Sequence, residues 1–507
     1  MRSQKLVASI FAAGTFLFMA SSGIMAQNLD TRHMEHEKAA TNFMDMLYLN
    51  PSYQVGRYSS SLNRADFYYN DRHATQPPLL ESGNETNLWG GRIDAYIIKG
   101  KSTIWGYAHY DNGRIQNVRY SETSDASLLY PYLIADTIGG GVSKDEIYDF
   151  MGGFATRLGS RWIIGGQGTY TAQLDYRTRD PRPKNLTSDI KLVIGSSYLL
   201  NNYKLGASFD FHRYKQTNVV KIYNEVSSPV FYHLTGLGTD YYRFRGENTE
   251  TYYKGVGWGF MLNVAPKDKS GFFVSYKYQN LFIDKIISTL NELPMSTLKL
   301  YSFSSEAGYL RQGRSHDFGV KVDENYRLRK GIENIFGSPA SNMYPQIARM
   351  PQYKQQQLNL SVESFYGYHP LHTVYEFGYR FGYENLRETY NEPAQVIRSS
   401  SVSSRFHFKG LRQIRQFLLQ FRTSFLLTNA FKNKIQLSAE TNRPMLPPLL
   451  QRYSYLSSSR YLIDNNIELH YDTGHKYSLF MALNWQYSHY LEHQHTHEER
   501  ISIGIEF

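Results

Sequence analysis

From about residue 54 to the C-terminus the chain alternates apolar and polar side chains with a period of two, the pattern of strands with one apolar face. In 373–384, Thr373, Tyr375, Phe377, Tyr379, Phe381 and Tyr383 share one face, and Glu376, Gly378, Arg380, Gly382 and Glu384 the other. Phe318, Val320 and Val322 likewise oppose Gly319, Lys321 and Asp323, and Phe417, Leu419, Phe421 and Phe425 oppose Gln416, Gln420, Arg422 and Ser424. Such runs, roughly 10 to 14 residues long, suit a tilted strand crossing a bilayer. A sandwich would bury each apolar face against a second sheet, and one core cannot hold so many aromatic faces. Lipid outside and a polar lumen inside can.

The connections alternate in length. Short turns fall near Lys99–Lys101, Gly159-Ser160, Asn201-Asn202, Pro266–Ser270, Gln312–Arg314, His369-Pro370, Gly410–Arg412 and Asp472–Gly474. Gly, Asn, Asp and Pro dominate them because tight hairpins need a positive or preset φ. Between them lie longer polar stretches at 71–86, 111–146, 177–187, 217–250, 284–297, 328–352, 388–398, 429–451 and 490–499. Short periplasmic turns and long extracellular loops are the asymmetry of outer-membrane barrels. The expected fold is all-β, a transmembrane antiparallel up-and-down β-barrel over 54–507. The turns imply about 18 strands, with about 16 as the alternative count.

The N-terminus reads as an export signal over 1–26. Arg2 and Lys5 precede the apolar run Leu6 to Ala20, and small residues lead to Ala26 at the −1 position before Gln27. This predicts Sec-type export, cleavage, and residence in the outer membrane of a Gram-negative cell. Residues 27–53 do not alternate; His36 to Leu49 suits a helix stopped before Asn50-Pro51. The segment is expected to lie in the periplasm or to plug the lumen. With no cysteine, disulfides, thiolate metal sites and a lipidated N-terminal Cys are excluded. The 43 Tyr and 29 Phe suit aromatic girdles at the two lipid–water interfaces. The formal charge of +10 is spread over many strands and loops, which fits lipid headgroups rather than nucleic acid.

The last residues, Ile501, Ile503, Ile505 and Phe507 on one face and Ser502, Gly504 and Glu506 on the other, resemble the C-terminal sorting signal of bacterial outer-membrane barrels, in which Phe507 is the targeting residue. That resemblance implies the barrel-assembly machinery and outer-membrane lipid as partners. With the Ala26-Gln27 junction, the whole mature chain resembles Bacteroidetes outer-membrane β-barrel proteins of unknown function. The segment Tyr48-Leu49-Asn50-Pro51-Ser52-Tyr53 is similar to the Asn-Pro signature of fatty-acid-uptake barrels and of type IX secretion-associated barrels. It departs at Ser52, where those groups carry Ala, and no functional residue is carried over.

Candidate chemistry falls in two places. The polar faces of the strands carry both charges, and Arg92, Asp94, Asp149, Lys191, Asp210, Lys277, Lys321, Asp323, Glu376, Arg380, Arg405 and Arg422 are the expected pore-lining residues. In the last loop His493, His495 and His497 recur at alternate positions, with His489 nearby. They form a ligand set for a divalent transition metal, the one candidate cofactor. His33, Glu35 and His36 form a smaller group at the other end of the barrel. Phosphate loops, nucleophile elbows and zinc-protease motifs are absent, so no catalytic residue is assigned. The expected function is a channel or plugged transporter for a small solute. The alternative is a surface receptor or scaffold whose long loops, with Tyr120, Tyr130, Tyr132, Tyr241 and Tyr242, bind a partner.

Overall fold

The computed structural model describes residues 29–507, apart from 225–229, 247–249, 340–342, 371, 440, 442 and 492–493. The export segment with Ala26, and His493, lie outside the described residues. One 18-stranded antiparallel sheet accounts for most of the chain. Its first six strands are β1 (Leu62–Ala74), β2 (Glu85–Lys99), β3 (Ser102–Val118), β4 (Gly141–Leu158), β5 (Trp162–Arg177) and β6 (Arg182–Leu200). Next come β7 (Tyr203–Lys221), β8 (Thr251–Pro266), β9 (Gly271–Ile287), β10 (Leu293–Gln312), β11 (His316–Phe336) and β12 (Gln346–Tyr368). The last six are β13 (Thr373–Tyr390), β14 (Gln395–Ile414), β15 (Phe417–Gln436), β16 (Arg460–Asp472), β17 (Ser478–Tyr490) and β18 (His495–Glu506).

Each strand pairs with its neighbours in sequence, and β1 pairs with both β2 and β18, so the sheet closes without an edge. This is the fold of outer-membrane β-barrels. Alternation does what the sequence requires of it. Phe377 and Phe381 on β13 are exposed on the outer surface, as are Phe67 on β1 and Ile503 on β18. Cross-strand rings such as Tyr379 and Phe406, with centroids 4.8 Å apart, tile that surface.

Four details differ from the sequence reading. Strands run from 12 to 23 residues, because pairing continues past the lipid-facing stretch, and several loops shrink accordingly, as at 178–181 and 391–394. The hairpin expected at Gly410–Arg412 lies instead at Arg415-Gln416. Pairing of β14 with β15 continues through Arg412 opposite Leu419, and Arg415 supplies the positive φ of the turn. The barrel begins at Leu62 rather than near residue 54. The helix expected over His36–Leu49 is replaced by α1 (Leu29–Glu37), α2 (Ala39–Asn42) and two 3-10 turns, Met46–Leu49 and Pro51–Gln54. Lys38 is extended between the helices, and the Ala39 N–H donates to Glu376 Oε1 of β13 at 2.6 Å. A wall carboxylate thus takes a donor that a continuous helix would have kept.

Candidate functional site: a lumen stoppered at both ends

Residues 29–58 lie across the barrel at the end of the short turns and touch the wall on nearly every side. Phe43, Met44, Leu47 and Tyr48 cluster with Ala265, Phe273, Leu310 and Phe365, apolar residues the wall turns inward. Lys321 Nζ of β11 donates to the Phe43 carbonyl at 3.0 Å and pairs with Asp45 at 2.7 Å and Glu306 at 3.0 Å. Opposite, Glu37 of α1 pairs with Lys409 of β14 and Arg422 of β15, each at 2.8 Å. Burial works against the ionised Glu37 carboxyl, but Lys409, His33 and Arg422 outweigh it and hold it below the usual carboxylate range.

The Asn50-Pro51 corner rests on a shelf without side chains. A Cβ at Gly195 would stand 2.1 Å from Asn50 Oδ1, and one at Gly206 2.3 Å from a Tyr53 ring carbon. Asn50 caps the following turn by accepting from Ser52 N–H, and its amide donates to Asn263 of β8 at 3.2 Å. The Tyr53 hydroxyl donates to the Lys204 carbonyl at 2.7 Å, while Lys204 Nζ donates back to the Ser52 carbonyl at 3.0 Å. Every partner is buried, so these are specific contacts rather than surface decoration.

A second junction joins His33 of α1 to the closing strands. His33 Nδ1 lies 3.1 Å from Glu506 Oε1 of β18, and His470 of β16 lies 2.8 Å from Glu468 and 3.4 Å from Glu506. Arg64 of β1 bridges Glu468 at 2.6 Å and Glu506 at 3.5 Å, with its guanidinium 3.8 Å over the Phe480 ring. Among the described residues this is the place where His and Glu donors gather closely enough to hold a metal.

Between plug and wall lies a cavity of about 820 Å³. Arg64, Arg92 and Arg500 face Asp66, Asp94 and Glu498 in its lining, with Tyr58 and Tyr107 between. Opposite charges share the wall, as Arg92 and Asp94 do at 2.5 Å, so its field is mixed rather than of one sign.

The other end is closed by loops folded inward. The 119–140 connection carries the short helix α3 (Ala126–Leu129), and Ile134-Ala135 joins Tyr232–Gly236 and Thr239-Asp240 in a small sheet. Wall residues grip this loop. The Tyr253 hydroxyl donates to the Tyr132 carbonyl at 2.8 Å, Lys285 Nζ to the Leu133 carbonyl at 3.0 Å, and Arg177 to the Glu122 carboxylate. Burial pushes Glu122 well above the carboxylate range in spite of Arg177. Arg452, on helix α4 (Leu446–Ser457), pairs with Glu388 of β13 at 2.8 Å and donates to the Tyr130 hydroxyl at 2.8 Å.

The pairing register carries every expected pore-lining residue to the inner side. Arg92, Asp94 and Arg422 line the cavity. Lys321 and Glu376 instead hold the plug. Asp323 and Arg380 approach each other at 3.5 Å, Asp149 accepts from Tyr107 at 3.0 Å, and Asp210 accepts from Gln279 at 2.9 Å. Lys191 faces His212, Lys277 faces Met261, and Arg405 faces Arg380 across their strand pairs. The described histidines of the last loop lie on the outer surface, on the side of Ile501 and Ile503. His489 sits opposite His495, and Trp485 Nε1–H donates to His497 Nε2 at 2.8 Å, which occupies that lone pair. The sequence reading missed the roles of Glu37, Lys409 and Lys204. Their partners are remote in the chain, and no local spacing marks them.

A closed barrel, outer polar–apolar alternation and a charged lumen define an outer-membrane β-barrel protein. The chain belongs to a family of unknown function, DUF6850, whose pattern matches residues 51–507. No curated protein matches it in sequence. Among solved structures, the ferric preacinetobactin receptor BauA of Acinetobacter baumannii is similar at 9% identity, with 88% of this chain and 80% of that chain covered and a TM-score of 0.38. The siderophore receptor PiuA of Acinetobacter baumannii is 8% identical over 89% and 82%, with a TM-score of 0.38. The FrpB iron transporter of Neisseria meningitidis is 8% identical over 88% and 81%, with a TM-score of 0.39. Likeness at this distance carries nothing about what the chain binds.

Proposed function

We propose that this protein is a gated outer-membrane transporter that admits a small polar solute through a lumen closed at rest. The observation that carries the reading is the charged 820 Å³ cavity between an inserted N-terminal segment and the barrel wall. A barrel of this strand number has room for an aqueous path, and polar docking contacts can be exchanged for water when the segment moves. Solute would enter where Arg92, Asp94 and their neighbours offer both charges, then leave past the displaced segment. Residence in the outer membrane of a Gram-negative, Bacteroidetes-type cell belongs to this reading, as do Sec-type export with cleavage after Ala26 and insertion into lipid by the assembly machinery. The loop tyrosines divide between the two readings: Tyr132 is buried inward and helps close the lumen, while Tyr242 is 78% exposed and open to a partner.

Planar-bilayer conductance tests it. The full chain should be silent, and a variant lacking 29–58 with 121–138 replaced by a short Gly-Ser link should show stable open steps. A folded double variant that stays silent, or a full chain that is constitutively open, rejects the proposal.

A further inference from the structure

We propose that the plug–wall junction at His33 is a binding site for one divalent transition-metal ion of the zinc class. Donor atoms of His33, Glu468 and His470 lie within 4.8 Å of one another, and Glu506 adds a carboxylate 3.1 Å from His33. The four come from three segments far apart in sequence, α1, β16 and β18. All are buried, with exposures of 3% for His33, 5% for Glu468 and 1% for His470 and Glu506. Two imidazoles with carboxylates are the ligand chemistry of zinc, nickel and copper rather than calcium or magnesium.

Two observations favour a cation over a purely hydrogen-bonded cluster. Both ring nitrogens of His470 are buried and neither makes a well-directed hydrogen bond, although carboxylates flank them. His33 Nδ1–H donates to Glu506 while its Nε2 makes one long hydrogen bond, which a metal ion would replace to give the carboxylate-oriented imidazole common at such sites. Gln420 Oε1, 3.4 Å from that Nε2, is the remaining polar contact of the ring.

Tetrahedral zinc needs donors about 3.4 Å apart, so the side chains close inward on binding. Arg64 then yields Glu468 and turns towards Asp66, which already stands 3.7 Å from its Nε. Metal in this place bolts α1 to β16, with Glu506 of the closing strand β18 beside it. His33, Glu468 and Glu506 also line the 820 Å³ cavity, so the site shares its wall with the transport path but does not depend on the solute.

Cobalt and zinc uptake by the purified full-length barrel tests it, with His489, His493, His495 and His497 replaced by Ala so that the outer loop does not contribute. One equivalent should bind, with visible ligand-field bands for cobalt. H33A should abolish it, and E506Q should weaken it about 10- to 100-fold. Heat-modifiable electrophoresis verifies that each barrel is folded. H33A lies outside the barrel strands, and E506Q keeps the size of the side chain. No uptake by the parent, or one equivalent undiminished in H33A and E506Q, overturns the proposal. Because the readout is stoichiometry rather than current, a barrel that binds metal but never conducts loses only the transport reading.

Discussion

Gly195 and Gly206 are defined by what occupies the space of their missing side chains, Asn50 and Tyr53 of the plug. A branched side chain there cannot coexist with the seated corner, while the strands themselves accept it. G195V and G206V should therefore eject residues 29–58 from a barrel that still folds. Limited trypsinolysis at Lys38 and Arg57 checks this; protection equal to the parent's would show that the shelf is not needed.

Docking also has a defined pH dependence. Glu37 is depressed below its ordinary value of 4.5, so its contribution is complete above that value and is lost as pH falls through the depressed one. Burial is the largest effect on His36 and pushes it below its ordinary 6.5, against the favourable Ser60 carbonyl and Glu35. Its neutral form suits the seated plug, and that contribution is full above 6.5 and fades as pH drops through the lowered value. Both signs agree. Protease protection of the plug should weaken on acidification, first below about pH 6.5 through His36 and again in the acid range through Glu37. E37Q should diminish the second phase, to which the lowered Glu35 and Asp45 of the plug also contribute, and leave the first.

At the scale of elements, helix α4 acts through a few contacts with the 119–140 loop and the wall. Glu388 is fully buried and receives Arg452, Tyr130 and Tyr353, whose hydroxyl donates at 3.0 Å. R452A leaves that carboxylate without its cation, a change that costs about 3–5 kcal/mol when a buried pair is broken. The expected result is faster proteolysis within 119–140 and a lower unfolding midpoint, measured on folded barrel in detergent. R452K should restore the charge but not both contacts. Strands were the most legible elements, since Tyr375, Phe377 and Phe381 announce a lipid-facing side by alternation alone. Their ends were less so: pairing of Arg412 with Leu419 moves a turn that Gly410 had suggested, because register is a property of two strands.

At the scale of the molecule, closure of β1 on β18 makes every lumenal side chain a neighbour of residues hundreds of positions away. That closure turns a set of amphipathic strands into a container, and the content is what governs passage. The inward-facing charges Arg92, Asp94 and Arg422 could be assigned a face from their spacing. Whether they meet solvent, each other or a plug could not, and Lys321 shows the difference, since its partners are Asp45 and Glu306 rather than open lumen.

The sequence by itself determined the class of fold, the direction of each apolar face and the approximate strand number, because a period of two is a local property that lipid outside and water inside must select. The tertiary structure alone decided that residues 29–58 sit in the lumen, that the 119–140 loop turns inward with 232–240, and that His33 meets Glu468, His470 and Glu506. Those outcomes depend on complementary shape and charge across the barrel, and no pattern along the chain encodes distances between residues that only closure brings together.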